Sequence, residues 1–145
     1  MKYSQIKAIK TFTENLFSAP CYREVIENVQ NENVDFEVEN VRFINAENID
    51  EIQSEELQSD LYCLGCFDVC FIARQCNWPV ELVEAAQAGE AYEALGKAIA
   101  DNTDMIEFTQ AYSSVDGYGH HFNGYDFGEE KIEINGTTYY VFDQH

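Results

Sequence analysis

The chain has 145 residues, with 27 Asp and Glu against 8 Lys and Arg, for a formal charge of −19. A hydrophobic fraction of 46% and an aromatic fraction of 14% supply a core and exclude a disordered chain, since disorder goes with few aromatic and β-branched residues. The charge excludes unaided binding to nucleic acid or an anionic membrane, which carry the same sign, and no stretch approaches the ~20 apolar residues that cross a bilayer.

The length suits a single domain spanning residues 1–145, with no linker, repeat or low-complexity tract to divide it. Ile6, Ile9, Phe12 and Leu16 place an amphipathic helix over Ser4 to Phe17, ended by Ala19-Pro20. A short helix follows near Arg23–Gln30. Val34, Phe36 and Val38 then alternate with Asp35, Glu37 and Glu39, the pattern of a half-buried strand. Val41 and Phe43 resume it after Glu39-Asn40, as a hairpin or as one bulged strand. Asn48 with Glu51 forms a capping box that opens a helix to about Leu57. Ser59-Asp60 caps an apolar helix from Leu61 to about Gln75. Pro79 opens the next helix, which stops near Gly89. Ala91–Ala100 forms another, and Thr103 caps a last one reaching Tyr112. Residues 113–130 read as a loop rich in Gly and Tyr. Asn135-Gly136, between Ile132/Ile134 and Thr137–Phe142, marks a type I′ hairpin. The expected class is α+β: five or six helices packed on a small, mainly antiparallel sheet that includes a C-terminal β-hairpin.

Four of five cysteines crowd between Cys63 and Cys76. Cys63, Cys66 and Cys70 fall on one helical stripe among apolar neighbours, which reads as core cysteines rather than a zinc site built from turns. The odd count, the crowding and the lack of a signal-peptide core near Met1 point to a reducing cytoplasm. Gly65 marks a close approach by a neighbouring helix. A metal-dependent enzyme with a 2-His-1-carboxylate site would draw on His120, His121 and Asp116 or Asp126. Adjacent histidines point to different sides of a backbone, and no H-E-x-x-H pair fixes them. Nucleophile-elbow, P-loop and dinucleotide-binding motifs are all missing. The expectation is therefore a non-enzymatic protein without catalytic residues, metal or cofactor.

The acid excess carries the functional reading. Asp35, Glu37 and Glu39 project from one strand face about 6.7 Å apart. Glu47, Glu51 and Glu55 form an i, i+4 row about 6 Å apart, with Asp50 and Glu56 beside it. Phosphates lie about 3.4 Å apart along each DNA strand, so such rows match a phosphate-binding groove at about twice that interval. The size, the acid excess and the tail from Asp116-Gly-Tyr-Gly-His-His-Phe to Tyr139-Tyr-Val-Phe142 resemble small acidic proteins of phages and mobile elements. That resemblance implies an anti-restriction or anti-CRISPR inhibitor acting by DNA mimicry. Its partner would be the basic nucleic-acid-binding surface of a host defence nuclease or DNA-binding protein. The alternative is an immunity or adaptor protein that binds one partner through the loop from Tyr118 to Tyr125. Exposed apolar residues on the helices between Trp78 and Ala100 would equally serve a homodimer.

Overall fold

A computed structural model describes residues 22–123, 128–134 and 136–144. The helix expected over Ser4 to Phe17, together with Cys21, Tyr125, Asp126 and Asn135, lies outside the described residues. The elements in chain order are α1 (Tyr22–Gln30), β1 (Asp35–Val38), β2 (Val41–Asn45), α2 (Ile49–Ser59), α3 (Leu61–Gly65), α4 (Val69–Cys76), α5 (Val80–Ala88), α6 (Tyr92–Asn102), α7 (Met105–Asp116), α8 (Gly119–Phe122), β3 (Glu130–Ile134) and β4 (Thr137–Asp143). The class is α+β, with eight helices among the described residues where five or six were expected. The chain forms two compact units, residues 1–49 with 116–145 and residues 50–115.

The first unit is built on a four-stranded antiparallel sheet of order β1-β2-β4-β3. Two hairpins are joined through the β2–β4 ladder. The first hairpin turns on Glu39 and Asn40, with φ of 47° and 64°, and Val38 pairs with Val41. Two consecutive positive φ values define a type I′ turn, so of the two alternatives the hairpin is the one formed. On one sheet face Phe36, Val38, Val41, Phe43, Ile134, Tyr139 and Val141 pack with Val25 of α1. The alternate residues face the other way, where Phe122 of α8 meets Phe142 with ring centroids 5.1 Å apart. Tyr118 meets Tyr140 at 4.9 Å. Tyr139 and Phe142 are therefore both buried although they point to opposite faces.

The stretch expected as a loop over residues 113–130 instead carries the end of α7 and the single turn α8. Gly117, at φ 76°, lets the chain leave one helix and re-enter another.

The second unit is helical and buries Leu57, Leu64, Ile72, Val83, Leu95, Ile99 and Phe108. The single helix expected from Leu61 to Gln75 is two, α3 and α4. Asp68 breaks it by taking the N-cap of α4, its carboxylate accepting from Phe71 N–H at 3.0 Å. Gln87 of α5 donates its side-chain amide to the carbonyls of Gly65 and Phe67, at 3.0 and 2.8 Å, satisfying backbone groups freed by the break. Pro79 and Gly89 bound α5 as expected. Asp104, rather than Thr103, caps α7 through Ile106 N–H at 3.0 Å. The Thr103 hydroxyl donates back to the Ile99 carbonyl.

The tightest packing lies between α3 and α6, which run antiparallel with Gly65 against Tyr92 and Gly96 against Leu61. A Cβ on Gly65 would stand 1.9 Å from the Tyr92 carbonyl oxygen, and one on Gly96 would stand 1.8 Å from that of Leu61. The helices therefore touch backbone to backbone, which only glycine allows, and the close approach expected at Gly65 is present.

Ala is favoured over Gly inside a helix by about 1 kcal/mol. Overpacking against a backbone costs ~1–3 kcal/mol or more. Gly65→Ala and Gly96→Ala are each expected to lower stability by about 2 kcal/mol in urea unfolding. An unchanged or raised midpoint would remove the contact from this account.

Candidate acidic interaction surface

The expected acidic residues fall into distinct local settings. Asp35 and Glu37 share a face of β1, with Phe36 and Val38 buried between and beyond them. Arg42, directly opposite Glu37 in the ladder, reaches diagonally to Asp35. Its Nε and terminal nitrogen donate to the two carboxylate oxygens at 2.8 and 2.7 Å. The guanidinium also lies 5.0 Å from the centre of the Phe122 ring. Asp35 is thus paired, and it helps hold α8 against the sheet.

Glu39 is not on the strand. It is the first turn residue of the hairpin and is exposed. Glu47 likewise precedes α2, in a turn where its N–H donates to the Asn45 side chain at 2.9 Å. The row expected from Glu47 through Glu55 is therefore reduced to Glu51 and Glu55, one turn apart and exposed on α2. Asp50 and Glu56 are half-buried beside them, and Asp50 accepts from Gln110 at 3.3 Å.

Most of the charge density lies in the helical unit. Residues 50–115 hold thirteen acids against Arg74 and Lys97, a net of −11. All but Asp50 and Glu56 are exposed. Lys97 is engaged by Asp101 one turn on, at 2.8 Å. Asp60, Asp68 and Asp104 have structural work, each accepting from a helix-start N–H. Glu81, Glu93 and Glu107 sit in first turns, where the helix dipole favours a negative charge. The last turns of α2, α5, α6 and α7 carry no base to complete that pattern.

Three of the described glutamates occupy left-handed backbone. Besides Glu39, these are Glu32 and Glu90, both with φ 58°. Glu32 N–H bonds to the Val29 carbonyl and Asn33 N–H to that of Asn28. Glu90 N–H bonds to the Gln87 carbonyl and Ala91 N–H to that of Ala86. Each is the double-bonded helix ending whose left-handed residue is ordinarily Gly or Asn. After α5 the available glycine, Gly89, is one position early, in right-handed backbone at φ −82°. The sequence signal for these positions is faint, because charge and hydrophobic period carry no information about φ.

The remaining candidates are placed differently from expectation. Tyr118 is half-buried and its ring rests on Tyr140, as part of a helical turn instead of a projecting loop. His121 packs edge-on against Phe122, with centroids 4.6 Å apart, while His120 is exposed. Among the described residues, no group of three or more His, Cys, Asp and Glu is arranged to hold a metal ion. Nor is any helix among them long and apolar enough to cross a membrane. Leu82 and Val80 are exposed on α5.

The cysteine expectation is corrected. Cys63, Cys66 and Cys70 are exposed, and Cys76 is half-buried. The break at Asp68 interrupts the expected stripe, and Leu64, Phe67, Phe71 and Ile72 take the inward positions instead. Comparison with protein-family models, curated proteins and solved structures gives no match.

Burial pushes the Cys76 thiol up to about 11. Alkylation at pH 8 followed by peptide mass mapping is expected to label Cys63, Cys66 and Cys70 well before Cys76. Equal rates at all four would contradict the burial pattern.

Proposed function

We propose that the protein is a non-enzymatic, cytoplasmic acidic decoy that binds the basic nucleic-acid-binding groove of another protein in place of DNA. The observation that carries this reading is the placement of Glu32, Glu39 and Glu90 in left-handed backbone. A left-handed conformation costs a non-glycine residue about 1–2 kcal/mol. A surface selected only for solubility has no reason to bear that cost, since a net charge of magnitude ~2–8 suffices for a small domain. Acids held where the fold favours glycine support the reading that the charge itself is the selected property. Eleven exposed acids on residues 50–115 support the same reading. Glu51 and Glu55 add the i, i+4 spacing of about 6 Å. Affinity would arise from many charge contacts and electrostatic steering, and would fall steeply with salt.

The experiment is capture from bacterial lysate on the immobilised chain, eluted in salt steps and identified by mass spectrometry. A basic nucleic-acid-binding protein leaving at moderate salt is expected. That capture is lost on joint replacement of Glu51, Glu55, Glu81 and Glu84 by Lys, with the circular dichroism spectrum retained. Retention unchanged by the four substitutions would refute the assignment.

The left-handed glutamates add a sharper expectation. Glu32→Gly and Glu90→Gly should each raise stability by about 1 kcal/mol, while the double variant elutes from the partner at lower salt. Stabilisation without any change in elution would make these positions irrelevant to binding.

A further inference from the structure

The break between α3 and α4 leaves three thiols on the surface within eight residues, Cys63, Cys66 and Cys70. They fill no core position, and the aromatic cluster of Phe67, Phe71, Phe108 and Tyr112 packs without them. Cys63 and Cys66 stand in a defined relation. The Cys66 N–H donates to the Cys63 carbonyl at 3.0 Å, closing a four-residue turn at the end of α3. Such a turn holds its first and last Cα within about 7 Å, the range that a disulfide spans. On a helix, side chains three residues apart are neighbours on one face. Cys70 belongs to the next helix, beyond the Asp68 cap.

We propose that Cys63 and Cys66 form a redox-active dithiol that is oxidised to an intramolecular disulfide by a small-molecule disulfide of the glutathione type. In the first step the Cys66 thiolate attacks one sulfur of the oxidised dimer, forming a mixed disulfide and releasing one glutathione thiolate. In the second, the Cys63 thiol loses its proton and attacks the Cys66 sulfur, releasing the other glutathione. The two thiols give up two protons and two electrons, and both electrons leave on the two reduced glutathiones. The order follows from Asp60. Its carboxylate accepts from the Cys63 N–H at 3.1 Å and, through a hydrogen bond with the thiol, holds the Cys63 thiol above its ordinary range. Cys63 is therefore the resolving thiol. The bond would clamp the turn containing Gly65, the residue that seats α3 against α6.

The test uses the full chain, reduced and then equilibrated in glutathione buffers of stepped oxidised-to-reduced ratio, acid-quenched, alkylated and mapped by peptide mass. The expected product is a Cys63–Cys66 peptide lighter by two hydrogens, formed before any other disulfide. In Cys63→Ser the glutathione should stay on Cys66. Cys63→Ala serves the same purpose if the serine variant is poorly folded. The proposal is overturned if the unaltered chain accumulates separate glutathione adducts at Cys63 and Cys66. Pairing of either with Cys70 or Cys76, or reduced thiols persisting in oxidised glutathione alone, would also overturn it.

Discussion

The helical unit depends on a close approach of two helices at which the backbones themselves touch. Gly65 and Gly96 let α3 and α6 meet backbone to backbone, and each glycine faces a carbonyl of the other helix. α3 has only five residues and would not persist alone, so its helicity depends on α6 lying against it. The break that follows α3 depends on the same arrangement, because Gln87 can reach the Gly65 and Phe67 carbonyls only when α5 is in place. Close packing of this kind gives a compact apolar interior to a segment with thirteen acids and two bases.

That charge is costly in a way the structure only partly relieves. Aspartates at helix starts satisfy free N–H groups, and first-turn glutamates meet the positive end of the helix dipole. Glu51 and Glu55 repel one another at i, i+4, a cost of about 0.2–0.5 kcal/mol at low salt. Glu32, Glu39 and Glu90 add backbone strain to repulsion. One acid is used differently. Asp35 is bound bidentately by Arg42, which also covers the Phe122 ring, so this carboxylate contributes to the sheet unit's packing.

Much of the fold was legible in the sequence where local chemistry decides it. The alternation around Phe36 and Val38, the Pro79 start and Gly89 stop of α5, and the C-terminal hairpin all follow from neighbouring residues. What was not legible depends on distant partners. No periodicity over Leu61–Gln75 reveals that Gln87 will satisfy a broken helix, and without that break the cysteines read as core. Nor does the Gly-rich stretch after Ser113 show that Phe122 has a sheet face and Arg42 waiting for it. Of the candidate acids, the exposure of Glu37, Glu51 and Glu55 could be read from pattern alone. The turn placement of Glu39 and Glu47, the pairing of Asp35 and the left-handed glutamates required the backbone.

As a decoy, the protein would occupy the site of a nucleic acid on its partner. The most direct measurement is equilibrium competition, in which a labelled DNA duplex bound to the captured partner is titrated with this protein at fixed salt. Full displacement is expected, with the apparent affinity of each ligand falling in proportion to the concentration of the other. A ternary complex, in which partner, duplex and this protein coexist with unchanged affinities, would contradict it.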